Sequence, residues 1–513
     1  MKNNMQSKTQ TIDSFLNKEG FIVRSNPRFV PTESELLALS PEQKEVIEQV
    51  SKGHNVFMHG PAGTGKSVTL HRVRRILEVR KVHYTIGAFT GHAAVSVGGF
   101  TIHSIFKGLG LMKDPIEVLI KKMKKNPMLL SKLKEIDLFI VDEISMISSM
   151  FIAKIDLLFQ SACNCQRPFG GTQVLFSGDF YQLPPIETDE DGRQYAFESS
   201  VWDLLQLKTI NLTQIFRQSN QEFQQILAHM RIGKLNISDI SVLIKCIDKN
   251  IVERNIIPTS LFATNNDANN WNHRELQKLD ATSEYTYESK CEVVPNRAIT
   301  DNDRKELFRQ SMVVRKHSPS PDDLVLRMGA QVMLRCNLDQ RKRLVNGSRG
   351  IVIGFNNTNN FPIVQFKNGG TRVLEPYEFK STYRTGSIIF TQIPLLLAFA
   401  MTIHKAEGCT LDSVCVSTKQ IRTNGQAYVA FSRVRTLEGL TLIDFDPRCI
   451  VTSSKVLIKY PIDPTQQSTV KQVSNCSNNE QEHKTYKTKK RKFAFTDQIP
   501  RKSQRVIDQN KIK

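Results

Sequence analysis

The tightest constraint on this chain is one octapeptide, Gly60-Pro61-Ala62-Gly63-Thr64-Gly65-Lys66-Ser67. It follows the apolar run Val56-Phe57-Met58 and precedes a stretch in which Leu70, Val73 and Leu77 keep helical spacing. The glycines let backbone N–H groups curl around phosphate oxygens, and the helix that begins there adds a partial positive charge. The segment fits G-x-x-x-x-G-K-[ST], so Lys66 is expected to hold the β and γ phosphates of ATP and Ser67 to ligate Mg2+.

Such a loop needs a carboxylate on the metal side, at the end of a buried strand. Leu138-Phe139-Ile140-Val141 leads into Asp142 and Glu143. Asp142 would bind Mg2+ through water, and Glu143 would accept the proton of the attacking water. An adjacent acidic pair favours hydrolysis over transfer of phosphate to a small molecule. Near a third apolar run, Val174-Leu175-Phe176, lies Gly178-Asp179-Phe180-Tyr181-Gln182-Leu183-Pro184-Pro185. Gln182 is the choice there for sensing the γ-phosphate, because an amide both donates and accepts. Arg217 and Arg433 are candidate cations for charge developing on that phosphate.

From about residue 36 to 447, short apolar runs alternate with amphipathic stretches, the mark of parallel α/β domains. Further strands are expected at 261–263 and 414–416. A helix is expected over 221–235, with Phe223, Ile226, Leu227 and Met230 on one face. Between about 275 and 385 turns become frequent, which predicts a small β-rich insertion. The longest apolar run, Ile393 to Ile403, is too short to cross a membrane. Nine scattered cysteines give neither a disulfide framework nor a zinc pattern. The formal net charge of +20 calls for a polyanionic partner, nucleic acid first.

Taken in order, several segments carry a resemblance. They are Leu39 to Gln43, the glycine loop, Thr90-Gly91-His92-Ala93-Ala94, Gly98 to Ser104, Asp142 to Met146, Pro168 to Gly171, Gly178 to Pro185, Phe216-Arg217-Gln218, Val345 to Ser348, Ile403 to Gly408 and Tyr428 to Arg433. Together they resemble a Pif-type (petite integration frequency) DNA helicase of superfamily 1B over about residues 36–450. The resemblance implies two RecA-like P-loop NTPase lobes with ATP between them and a small β-barrel-like insertion in the second lobe. It implies 5′-to-3′ movement on single-stranded DNA and unwinding of forked duplex, in replication, repair, recombination or telomere maintenance. It implies that Gln43 reads adenine, and that Thr90, Gly91, His92, Thr101, His103, His404 and Lys405 lie along the DNA track. The expected segments are an arm at 1–34, a first lobe at 35–205, a second lobe at 206–274 and 386–460 around the insertion, and a basic disordered tail at 461–513. The protein is expected to act as a monomer or a weak DNA-dependent oligomer. The rival readings are a DNA-binding scaffold with weak ATPase activity and a RecD-like subunit of a larger complex.

Three positions depart from the family pattern. Glu407 stands where Gln is usual, and a carboxylate there cannot donate a hydrogen bond and would repel a phosphate. Phe399 stands for Trp and Phe431 for Leu, and both keep an apolar body for packing. Near the N-terminus, Ile12 and Phe15 sit in a segment like a sliding-clamp binding box, in which Thr9 replaces Gln and Leu16 the second aromatic. The tail holds 12 Lys+Arg against 5 Asp+Glu, a net of +7. Its run Lys487 to Lys492 reads as a nuclear address, with a nucleic-acid tether or a plain charged tail as alternatives. A viral replication site or the mitochondrion is the alternative to the nucleus.

Overall fold

The computed structural model describes residues 28–462, apart from 107–108, 112–113, 186–194, 250, 252–256, 297–299, 317, 319, 337, 340–341, 343, 345–347, 368–369 and 384–385. The clamp-box-like segment with Ile12 and Phe15, the basic run at 487–492 and most of Val345 to Ser348 lie outside the described residues. No helix among the described residues is long and apolar enough to cross a membrane.

The first lobe is built on six parallel strands: β1 (Val56–His59), β2 (Tyr84–Ala88), β3 (Phe100–Thr101), β4 (Leu138–Asp142), β5 (Gln173–Gly178) and β6 (Lys208–Asn211). Their order is β3-β2-β4-β5-β1-β6. Helices cover both faces, so the strands are apolar on both sides, as buried parallel strands must be. In β4, Phe139 and Val141 enter one core with Phe57, Val174 and Phe176. Leu138 and Ile140 enter the opposite one with Val56, Met58 and Leu175. Because every strand runs the same way, all the loops that follow them open on one edge. Ligands of such sheets bind at that edge.

The second lobe has a smaller parallel sheet in the order Ala400–Thr402, Thr259–Phe262, Val414–Ser417, Leu440–Asp444. The helix Gln221–Arg231 packs Phe223, Ile226, Leu227 and Met230 into its core. That helix stops at Arg231, four residues before the expected end, where Gly233 takes φ +71°. Phe399 and Phe431 are both buried, so their aromatic bodies do pack. The same core takes in Ala62, Met146 and Leu183 of the first lobe, one from each of three loops at the sheet edge.

The insertion has its own core around Leu326, Val332, Leu334, Val352, Val364 and Leu395. Among the described residues its strands pair as antiparallel sheets of five, three and two strands. Two of those strands, Gly386–Gln392 and Leu395–Leu397, follow residue 385. After the second lobe the chain returns to the first, where helix Ser454–Lys459 buries Val456 in the first-lobe core.

Candidate active site

The glycine loop joins β1 to helix Lys66–Arg80. Gly63 and Gly65 take φ of +88° and +82°, which side chains rarely adopt. A Cβ on Gly63 would lie 2.7 Å from Cβ of Arg217, so glycine is required for close approach as well. Lys66 Nζ donates to Gly60 O at 2.7 Å and to Pro61 O at 3.1 Å. Burial pushes its pKa down, against the pull of Asp179, Glu143 and Asp142. Ser67 is exposed at the start of the helix. Gln43 is buried against the loop, with Nε2 donating to Thr64 O at 3.2 Å. Its Oε1 accepts from Ser40 N at 3.0 Å and closes the cap of helix Pro41–Ser51.

Asp142 ends β4, and Ser177 Oγ donates to its Oδ1 at 2.8 Å. Glu143 follows in the left-handed region, at φ +52°. A non-glycine residue there is uncommon and costs about 1–3 kcal/mol, which marks a backbone held in place by its surroundings. Its Oε2 is buried and has no hydrogen-bond partner. Burial first, and then Asp142, raise the Glu143 carboxyl to about 7. Glu407 arrives from the second lobe, just after the short helix Ile403–Ala406. It is 3% exposed, and neither carboxyl oxygen has a partner. Burial and the nearby Glu143 hold it well above the usual carboxylate range. The departure from Gln thus falls beside the acidic pair.

Gln182 sits at the middle of a chain of polar contacts across the lobes. Its Nε2 donates to Asp179 Oδ2 at 3.3 Å, and its Oε1 accepts from Arg433 Nη2 at 3.4 Å. Arg433 is 1% exposed and also donates to Val429 O at 2.8 Å. Arg217 Nη1 donates to Ser432 O at 2.9 Å. Burial, with Arg433 next, lowers the Arg217 pKa to about 9. Tyr428 OH accepts from Ala62 N in the glycine loop at 2.9 Å. Arg231 holds Asp179 through two bonds of 2.8 and 3.1 Å and lies 4.5 Å from the centre of the Tyr181 ring. Burial would raise the Asp179 carboxyl, but Arg231, Lys66 and the Tyr181 N–H together keep it below its ordinary value.

The expected nucleotide residues therefore meet in one cleft. Sequence reasoning missed Asp179, Arg231 and Tyr428 as members. Asp179 and Tyr428 lay inside quoted segments, whereas Arg231 carried no local signal. Ser67 and Asp142 offer hard oxygens of the kind that Mg2+ takes, and the unpartnered Oε2 of Glu143 next to Asp142 leaves an acceptor for a water.

The residues assigned to a DNA track lie on other loops. Thr90 Oγ1 accepts from Ala93 N at 3.2 Å, at the start of helix Gly91–Ser96. The side chain of His92 lies outside the described residues. Thr101 caps helix Ile102–Ile105 through Ser104 N at 3.1 Å. His103 sets its ring against Phe89 and Phe151, at 5.8 and 5.5 Å between centroids. His404 is half-buried. Lys405 lines a cavity of about 250 Å³ with Asn269, Asn272, His273 and Thr402. In helix Ile116–Lys124, Leu119 and Met123 point inward and leave Lys121, Lys122 and Lys124 exposed.

Comparison with known proteins gives a consistent answer. Residues 38–240 match the family model "PIF1-like helicase", and residues 314–355 match "DNA helicase Pif1, 2B domain". The chain is 35% identical over 462 residues to the ATP-dependent DNA helicase PIF1 of Xenopus laevis, covering 89% of this chain and 69% of that one. The crystal structure of Pif1 helicase from Candida albicans superimposes with a TM-score of 0.71 at 33% identity, over 83% of this chain and 99% of that one. The Bacteroides Pif1 helicase in complex with ADP-AlF3 and ssDNA gives a TM-score of 0.60 at 26% identity, over 83% and 96%.

Proposed function

The chain belongs to the PIF1-like helicase family, and we propose that it is an ATP-dependent DNA helicase that moves 5′ to 3′ on single-stranded DNA and unwinds forks. One observation carries this reading. The glycine loop, the acidic pair and the Gln182 loop of the first lobe meet Tyr428, Arg433 and Glu407 of the second in a single cleft. A nucleotide bound there touches both lobes, so its hydrolysis alters how they hold each other.

In that reading Lys66 and the loop amides bind the phosphates, and Arg217 and Arg433 balance charge that develops on the γ-phosphate. Glu143 takes the proton of the attacking water at Oε2, which has no competing partner. Ser67 and Asp142 would hold Mg2+, which supplies positive charge to the phosphate oxygens. Thr90, Gly91, His92, Thr101, His103, His404 and Lys405 form the DNA track, and the Bacteroides relative's complex with ssDNA supports single-stranded DNA as the ligand. Genome maintenance in the nucleus is the cellular setting we assign.

The test is ATP hydrolysis with and without single-stranded DNA, beside strand displacement on forks with a 5′ or a 3′ tail. DNA-stimulated turnover, lost in Lys66→Ala, and unwinding from the 5′ tail are the expected results. Turnover that survives Lys66→Ala refutes the site, and unwinding from the 3′ tail refutes the polarity.

A further inference from the structure

The last described segment of the chain does not belong to the lobe that precedes it. The second-lobe core closes at Cys449 and Ile450, and helix Ser454–Lys459 then crosses to the first lobe. Val456 is fully buried in the first-lobe core, with Leu457, Tyr460 and Ile462 packed against it. Lys455 pairs with Glu198 at 2.7 Å, and Lys459 with Asp203 at 3.4 Å. Exposed pairs of this kind contribute little each, so the apolar contacts dominate.

Tyr460 has an unusual position within that segment. Its ring stacks on Phe180 at 5.5 Å and 11°, and meets Phe197 edge-on at 5.6 Å. Its backbone carbonyl accepts from Tyr181 OH at 2.7 Å. Both residues directly before Gln182 are therefore held by one residue of the C-terminal segment. The same ring lies 5.7 Å from Phe57 and 5.6 Å from His59, on the strand that ends at the glycine loop. Tyr460 thus touches the supports of two nucleotide loops at once.

The geometry of Gln182 makes that support consequential. Its contacts to Asp179 and Arg433, at 3.3 and 3.4 Å, are near the outer limit of a hydrogen bond. A shift of a few tenths of an ångström in the loop removes them. Flat aromatic faces resist such shifts, because stacked rings have a defined separation and tilt that aliphatic packing lacks.

We infer that residues 454–462 are a strap between the lobes, and that Tyr460 is a positioning residue for hydrolysis, acting through Phe180 and Tyr181 to place Gln182 against Arg433. The inference rests on the ATPase reading of the cleft. Tyr460 touches none of the reacting groups, so its effect belongs in turnover and not in nucleotide affinity.

Full-length Tyr460→Leu, Tyr460→Phe and Val456→Ala separate this from simple packing. The readouts are DNA-stimulated kcat, the Kd of a fluorescent ADP analogue and the melting temperature. Tyr460→Leu lowers kcat tenfold or more with Kd within twofold of wild type, and Tyr460→Phe keeps kcat within twofold. Val456→Ala lowers the melting temperature but keeps kcat within twofold. A Tyr460→Leu kcat within twofold of wild type overturns the inference, as does an equal kcat loss in Val456→Ala. Should Tyr460→Leu fail to fold, Tyr181→Phe, which removes only the hydroxyl on Tyr460 O, decides it. A threefold or larger loss of kcat supports the strap, and unchanged kcat refutes it. Wild-type protein with no ATP hydrolysis at all would instead refute the ATPase reading.

Discussion

Glu143→Gln should improve the stability of the nucleotide-free protein while abolishing turnover. The Glu143 carboxyl stands at about 7 in the fold, against 4.5 when free. Between those values the folded chain binds a proton that the unfolded chain has released. Stability therefore falls as pH rises through this window, and the full cost is present above pH 7. At 1.36 kcal/mol per unit the cost is about 3 kcal/mol, shared with the carboxyls it faces. Glutamine has the same shape and no charge, so it removes that cost. Melting curves in EDTA without nucleotide, from pH 4 to pH 8.5, read it directly. The variant should match wild type near pH 4 and gain steadily above pH 5. At about 2 °C per kcal/mol for a large domain, it should melt about 6 °C higher at pH 8.5. DNA-stimulated hydrolysis should fall by about 10²–10⁴-fold, the usual contribution of a general base. A melting difference that is flat in pH, or that favours wild type at pH 8.5, would refute the claim that the buried charge of Glu143 costs the fold stability.

Three further outcomes follow from the same contacts. Glu407→Gln should also stabilise the protein above neutral pH, and the double variant with Glu143→Gln should gain less than the two singles together, because each relieves the other's repulsion; strict additivity would show that the two carboxyls do not interact. Arg231→Ala strands Asp179 inside the protein and should cost about 3–5 kcal/mol in urea unfolding; an unchanged midpoint would count against the ion pair. Tyr428→Phe leaves Ala62 N without its acceptor and should cost about 1–3 kcal/mol, seen as a lower melting temperature; wild-type melting would mean that the bond contributes nothing.

Much of this architecture was legible from local pattern. The runs at 56–58, 139–141, 174–176 and 414–416 fall within strands, the run at 261–263 overshoots its strand by Ala263, and Leu70, Val73 and Leu77 all point inward from one helix. These succeed because burial on both faces leaves a continuous apolar run, and a helix face repeats within four residues. Asp142, Glu143 and Lys66 were legible because phosphate chemistry requires them at the ends of such elements. Partners distant in sequence were not. Arg231 finds Asp179 across 52 positions, and Tyr428 finds Ala62 across 366. Nothing in the neighbourhood of either residue encodes that meeting, which depends on how two lobes close. The insertion shows a different limit. Its frequent turns revealed β structure, but whether strands close as a barrel depends on register, and the described pairing gives three sheets.

The alternation of β4 between two cores makes the strand a measuring rod. Its five residues lie between opposed apolar layers, so deleting or adding one would turn Phe139 and Val141 into the layer built for Leu138 and Ile140. The same change would rotate Asp142 away from Ser177 and swing Glu143 off the cleft. Loops on this sheet can lengthen with little penalty, since closure entropy grows only slowly with length. The distance from Leu138 to the carboxylates cannot vary at all, and it sets where in the protein a water molecule can be activated.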